Sequence, residues 1–370
     1  MLTKFEVSNF KNFAEKFTFD LTQTNNYVFN QNAVHNGIIK NALIYGHNGV
    51  GKSNLGFAIF DLISHLTDKH SDSKLYKHYI NAFSPNDIAI FKYEFLFNHN
   101  SVIYEYGKYD KETLVYENLY INNIKYASID RRNNTTAIIN AEGAENLKRD
   151  IGDSKISIIS YIEKNTILAK NNNNDCFYQF IEFINGMLYF RSLFINEYIG
   201  LKQGNENIGN YIIKNGSIDD LQLFLNEAGI DCKLKVIKQE NEDRLAVNFN
   251  EKLIPLYEIS SSGTIALVLF YYWLQNLKHN SKSSFLFIDE FDAFYHHSLS
   301  EIVIKRLKDI NIQVIITTHN TSIITNDLLR PDCYFLMNNY EIKSLANKTS
   351  KELREAHNIE KMYRAGVFGE

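Results

Sequence analysis

The stretch LIYGHNGVGKSN, residues 43–54, constrains the fold more than any other part of the chain. Gly46, four intervening residues and then Gly51-Lys52-Ser53 make the formula of a phosphate-binding loop. At average residue frequencies such a match arises by chance in about one chain in a hundred of this length. The bland alternative is a surface turn rich in Gly and Asn. Context argues against it: IIKNALIYG reads as a buried strand running into the loop. After Ser53, NLGFAIFDLISHL carries apolar residues at helical spacing without proline. Strand, glycine loop and helix form the setting this motif requires.

The totals exclude several classes. A chain of 370 residues, 45% hydrophobic and 22% charged, is long enough for one elaborated domain or two simple ones. A formal charge of −4 speaks against a generally basic nucleic-acid coat, though a local basic patch would not register in the sum. Cys176, Cys232 and Cys333 lie far apart with no CxxC pair, which suits a reducing cytoplasm and argues against a disulfide framework or a thiolate metal site. The most apolar stretch, Thr264–Leu274, is too short to cross a bilayer, and the amino terminus lacks a signal-peptide layout. The expectation is a cytoplasmic protein without a membrane partner.

Along the chain, LTKFEVSNFKNF reads as a first strand. From about Ile88 to Ile139, short β-branched and aromatic runs separated by polar turns read as an antiparallel meander. KISIISYI reads as a further strand and the tract Asn171–Asn174 as a loop. CFYQFIEFINGMLYFRSLFINEYI and the region Ile212–Ala228 read as helices, and CKLKVIKQ with RLAVNF as a hairpin. From Ser260 the pattern returns to α/β, with a helix through ALVLFYYWLQNL, the strand SFLFID and a helix from about Ser298 to Lys308. The strands IQVIITTH and DCYFLM follow. There is no internal repeat and no heptad run. The expected organisation is an α/β head, 1–164 and 251–346, with an antiparallel β subdomain at about 88–139. A mainly helical insertion occupies 165–250, and the tail 347–370 is a candidate partner contact.

Three further features supply chemistry to a P-loop. SFLFIDEFD is an apolar strand ending in Asp289-Glu290, the Walker B pattern, against the plainer reading of a sheet strand capped by acids. Asp289 would join Ser53 in holding Mg2+, and Glu290 would polarise an attacking water. QVIITTHN is a buried strand ending in His319, at the ligand side of a parallel sheet, where an imidazole can donate to a γ-phosphate. EISSSGTIAL places Ser261, Ser262 and Gly263 at the start of a helix, either as a simple serine N-cap or as an anion site. A second phosphate-type turn is redundant in one subunit but not where two subunits meet face to face.

In order and spacing these motifs resemble the ATP-binding-cassette head of the RecF, structural-maintenance-of-chromosomes and overcoming-lysogenization-defect ATPases. FEVSNFKNF is similar to their first strand, YGHNGVGKSN to Walker A, SSSGT to a degenerate signature, IDEFDAFYH to Walker B with its following loop, and TTHN to the switch histidine. FKYEFLF, YEYGKY, LVYENLY and the tail LREAHNIEKMYRAGVFGE resemble bacterial abortive-infection ATPases, often encoded beside a nuclease or other effector. The resemblance implies a P-loop fold of this head type and binding of ATP and Mg2+ by Gly46, His47, Asn48, Gly49, Val50, Gly51, Lys52, Ser53 and Asn54. It also implies catalysis by Lys52, Glu290 and His319, and closure of a homodimer by Ser261, Ser262 and Gly263 of the opposite subunit. Assembly beyond the dimer stays open.

The sequence departs from the family at the signature, with Ser262 where transporters carry glycine, and at the Q-loop. Gln179, Gln203, Gln222 and Gln239 are all candidates for the latter. Only 51 residues follow His319, too few for an appended nuclease domain, so cleavage would fall to a partner chain. The leading expectation is an ATPase switch in anti-phage defence that controls a nuclease or toxin effector. The alternative is a RecF-like repair ATPase bound to nucleic acid. NKTS at 347–350 lacks the aspartate that reads guanine. Lys233, Lys235 and Lys238 read as a solvated face rather than phosphate contacts, and His296-His297 as structural rather than a metal pair.

Overall fold

The computed structural model describes residues 1–69, 76–152, 154–192, 197–201, 207–239, 242–250, 252–279, 282–291 and 297–369. The chain opens with β1 (Leu2–Ser8) and β2 (Phe17–Asp20), a small hairpin of β3 (Val34–His35) and β4 (Ile38–Ile39), and then β5 (Asn41–Tyr45). The glycine loop joins β5 to α1 (Lys52–Ile59), which is followed by α2 (Ile63–Leu66). The meander is β6 (Ala89–Phe97), β7 (Asn100–Lys108), β8 (Leu114–Ile121), β9 (Ile124–Asp130) and β10 (Ile138–Ile139). Next come α3 (Ile158–Asn165), α4 (Asn172–Asn185), β11 (Met187–Ser192) and β12 (Glu197–Gly200). Beyond them lie α5 (Ile208–Lys214), α6 (Ile218–Glu227), β13 (Leu234–Gln239), β14 (Glu242–Phe249) and β15 (Lys252–Pro255). The last third holds α7 (Leu256–Ile259), α8 (Ser262–His279), β16 (Phe285–Ile288), α9 (His297–Lys308), β17 (Gln313–Thr318), β18 (Tyr334–Met337), β19 (Ile342–Ser344) and α10 (Ile359–Arg364).

Two seven-stranded sheets organise these elements. One is antiparallel, in the order β10-β9-β8-β7-β6-β1-β2, and contains the expected meander. The other runs β12-β11-β16-β17-β5-β18-β19, with parallel pairing from β11 through β18 and an antiparallel strand at each edge. Its inner strands are buried on both faces, which is why ALIY, FLFI and QVIITT read as continuous apolar runs rather than alternating ones. The expected mixed α/β class, a P-loop sheet with an antiparallel β subdomain, is the one observed.

Helices α1 and α4 fill the space between the sheets. The Tyr93 hydroxyl of the antiparallel sheet donates to Ala58 O at 2.8 Å, while Gly56 on the same helix lies against the Tyr189 and Phe287 rings of the parallel sheet. On α4, Phe183 meets Phe95 at 5.3 Å and Phe285 at 6.1 Å between ring centroids. Burying each such ring stabilises the fold by about 1.5–3 kcal/mol. Gln313 ties the layers directly: its amide accepts from Leu2 N at 2.9 Å and donates to Leu2 O at 2.8 Å and Ile39 O at 3.0 Å.

Three local expectations are corrected. KISIISYI holds a helix, α3, because Ser157 Oγ caps the amides of Ile159 and Ser160 and the buried Glu117 carboxylate takes the amide of Ile158 at 2.6 Å. Asn171–Asn174 is the start of α4, with Asn171 Oδ1 accepting from Asn174 N at 2.8 Å. The long apolar run from Cys176 is not one helix. It ends at Gly186, whose amide bonds back to Glu182 O, and continues as β11, paired parallel to β16. Consequently much of 165–250 belongs to the two-sheet body, since α4, β11 and β12 all lie there. The remainder is mixed rather than mainly helical: α5 and α6 sit with the three-stranded sheet β13-β14-β15. This lobe rests on α8 through Tyr211–Tyr272 and through the Tyr271 hydroxyl, which donates to Asp220 at 2.7 Å.

Just beyond α1 the chain buries a charged pair. Lys108 Nζ lies 2.9 Å from Asp61 Oδ2, with both side chains 0% exposed. Burial pushes the Lys108 pKa down and the Asp61 charge pulls it back up. Tyr79 and Tyr106 donate to the two Asp61 oxygens, and Lys108 also donates to Ser64 Oγ and Lys111 O. Removing one member strands the other charge in a dry interior. Asp61→Ala is therefore expected to lower the unfolding free energy by about 3–5 kcal/mol, measured as a drop in the denaturant midpoint.

Candidate nucleotide site

The site forms where β5, β16 and β17 end side by side. The backbone of the loop after β5 has left-handed conformations at Gly49 (φ +83) and Gly51 (φ +101), which side chains resist. Gly46 is required for another reason: a Cβ there would lie 2.6 Å from Met337 O on β18. Asn12 braces the loop, donating to Val50 O at 3.3 Å and accepting from Asn54 Nδ2 at 2.6 Å. His47, Asn48 and Gly49 are exposed, so the cradle faces solvent. Lys52 is buried, and its ammonium donates to Gly46 O at 2.7 Å and His47 O at 3.2 Å while approaching His319 Nδ1 at 3.3 Å.

Asp289, at the end of β16, is also buried. Burial raises its pKa above the ordinary carboxylate range, and hydrogen bonds from Ser53 and Thr317 pull it back. Thr317 Oγ1 donates to Asp289 Oδ1 at 2.6 Å and accepts from Glu290 N at 2.8 Å, locking the two strand ends together. The Tyr189 hydroxyl lies 3.3 Å from Ser53 O and 3.5 Å from Asp289 Oδ2. A buried carboxylate beside a serine hydroxyl, both oxygen donors at a phosphate cradle, is a donor set that fits a hard divalent cation. Among the described residues there is no cluster of three or more His, Cys, Asp or Glu side chains suited to a metal, so the remaining ligands would come from phosphate and water.

Glu290 adopts φ +45, left-handed backbone for a residue with a side chain. Its Oε1 lies 3.2 Å from His319 Nε2, with the side chains 49% and 34% exposed. At that exposure the contact is weak and open to replacement by a ligand.

A family model described as "AAA domain, putative AbiEii toxin, Type IV TA system" matches residues 42–325. The chain belongs to that family. It is an AAA-domain protein of the P-loop ATPase class, and the matched span runs from β5 past His319. No curated protein matches the sequence. Among solved structures, the SMC head domain from Thermotoga maritima is similar at 14% identity and a TM-score of 0.44, with 93% of this chain and 98% of that one covered. An SMC head bound to the C-winged helix domain of ScpA has 14% identity and a TM-score of 0.46, with 93% and 97% covered. The recombination mediator protein RecF with ATP has 17% identity and a TM-score of 0.40, with 93% and 97% covered. Among the described residues no helix is long and apolar enough to cross a membrane.

The AAA-domain fold brings Lys52, Ser53, Asp289, Glu290 and His319 into one cluster. The Ser261–Gly263 turn stands apart from the bonds just described. Ser261 and Ser262 are exposed, and Ser261 Oγ caps α8 by accepting from Thr264 N at 3.2 Å. None of the candidate glutamines is seen at the cluster. Gln222 accepts from Leu234 N, Gln239 from Arg244, Gln179 lines a cavity with Lys40 and Lys282, and Gln203 lies outside the described residues. Of the pair His296-His297, His296 also lies outside them. Lys233, Lys235 and Lys238 are exposed. Sequence reasoning missed Asn12, Tyr189 and Thr317. Asn12 and Thr317 lie inside quoted motifs, whereas Tyr189 was hidden in an apolar run read as helix.

Thr317 holds the Asp289 carboxylate and the backbone amide of Glu290. Thr317→Val keeps the shape and removes the hydroxyl. ATP hydrolysis is expected to fall about 10–100-fold with the fold intact, checked by phosphate release beside a thermal melt.

Proposed function

We propose that this AAA-domain protein is an ATP-binding and ATP-hydrolysing switch of a bacterial abortive-infection system, working as a homodimer and controlling a separate effector, a nuclease or toxin. The observation carrying this reading is the convergence of Lys52, Ser53, Asp289, Glu290 and His319 on the exposed cradle, with a second phosphate-type turn, Ser261–Gly263, open to solvent on another element. The toxin-system description of the family supports the defence setting.

Backbone amides from Gly49 to Ser53 take the phosphate oxygens, flanked by His47, Asn48 and Asn54. Lys52 exchanges its carbonyl partners for the β- and γ-oxygens. Ser53 and Asp289 would hold Mg2+, which would supply positive charge beside the phosphates. Glu290 orients the attacking water and receives its proton as the bond from the γ-phosphorus to its bridging oxygen breaks, leaving ADP and phosphate. His319 gives up Glu290 and reads the γ-phosphate. Ser261, Ser262 and Gly263 of a second copy cap that phosphate, so ATP becomes part of the interface and its hydrolysis reopens the dimer.

The test uses Glu290→Gln, which binds but does not hydrolyse. With saturating ATP and Mg2+ it is expected to run as a dimer by light scattering, while Lys52→Ala stays monomeric. A Glu290→Gln protein that remains a monomer under these conditions defeats the dimer switch. A pull-down from the native host, comparing wild type with Lys52→Ala by mass spectrometry, then identifies the effector.

A further inference from the structure

The chain does not end at the sheet. After β19 it returns to the carboxyl ends of β5 and β17 and docks there. Leu353, Ile359 and Phe368 are buried anchors, between 1% and 5% exposed, so the segment is part of the packed body. Two contacts are aimed at the nucleotide site. The Tyr363 ring on α10 meets Tyr45, the last residue of β5, edge to face at 5.2 Å, and Tyr45 in turn meets His47 of the cradle at 6.1 Å. On the other side α10 packs on the single helical turn Thr321–Ile323, two residues beyond His319. The buried Asn326 closes this contact. Its amide nitrogen, with two hydrogens shared among three acceptors, lies 2.9 Å from Arg354 O, 3.0 Å from Glu355 O and 3.1 Å from His357 O in the tail.

We propose that Leu353–Gly369 is a strap that positions the ATP site, with Tyr363 setting the cradle through Tyr45 and His47, and Asn326 fixing the loop that carries His319. The inference rests on the ATPase reading above and adds a control point to it. The two groups that face a γ-phosphate, the cradle and the switch histidine, sit on different strands. The tail packs against Tyr45, which leads into the cradle, and against Thr321–Ile323, which follows the histidine, so a movement of either on nucleotide binding or phosphate loss is felt by the tail. Tyr363 and Asn326 are positioning residues, since neither touches the phosphate pocket itself.

The experiment compares wild type, Tyr363→Ala, Tyr363→Phe and Asn326→Ala in steady-state hydrolysis and in equilibrium binding of a fluorescent ATP analogue, with a melt of each. A misplaced catalytic group depresses turnover more than binding. Tyr363→Ala is expected to lose about tenfold in kcat with KM changed less than about threefold, and Tyr363→Phe, which keeps the ring, to restore it. Should Tyr363→Ala lose its cooperative melt, Tyr363→Leu replaces it, keeping the apolar contact without the ring. In the full chain, amide exchange of 353–369 is expected to differ between the ATP and ADP states in wild type, and the difference to shrink in Asn326→Ala. A wild type that hydrolyses ATP while Tyr363→Ala matches it in kcat, with tail exchange indifferent to nucleotide, overturns the strap. A wild type that neither binds nor hydrolyses ATP overturns the ATPase reading instead.

Discussion

The structure turns on a threonine hydroxyl that serves two neighbours at once. Thr317 donates to the Asp289 carboxylate and accepts the Glu290 amide, so the ends of β16 and β17 are joined where both leave the dry sheet. Buried polar groups must be paired, and here the pairing is done by a residue whose own strand is wholly buried. The lysine of the neighbouring loop solves the same problem with the Gly46 and His47 carbonyls. The lysine's partners are neutral backbone carbonyls, weaker acceptors for an ammonium than a phosphate oxygen.

Much of this was readable in advance, for definite reasons. The glycine loop, the acid pair and the histidine each terminate an apolar run, and a run of that kind has one obvious home, an inner strand of a parallel sheet. Their mutual contact followed from the topology the loop demands. Errors fell where tertiary partners outrank local pattern. Ser157–Asn165 has the β-branched look of a strand, but the Glu117 carboxylate waits in the core to receive its first amide. Met187–Phe190 continues a helical-looking apolar run, yet it fills a gap in the sheet beside β16. That substitution of strand for helix hid Tyr189, and with it the link between Ser53 and Asp289.

The lobe formed by α5, α6 and β13–β15 is placed by α8, the helix that begins at the exposed serine turn. Tyr211 on Tyr272 and Asp220 beneath Tyr271 fix the lobe to the middle of that helix, and Arg306 of α9 reaches the same Asp220 and Glu227. The serine turn and the lobe are therefore both carried on α8.

The left-handed backbone at Glu290 has a consequence for evolution in the laboratory. A residue with a Cβ pays roughly 1–2 kcal/mol for that conformation, and glycine does not. Selection for heat resistance alone would favour erasing the acid, and, on the proposed role of Glu290, selection for turnover would keep it. Robustness and chemistry pull this one position in opposite directions, so a hardened variant that has gone silent should be sequenced there first.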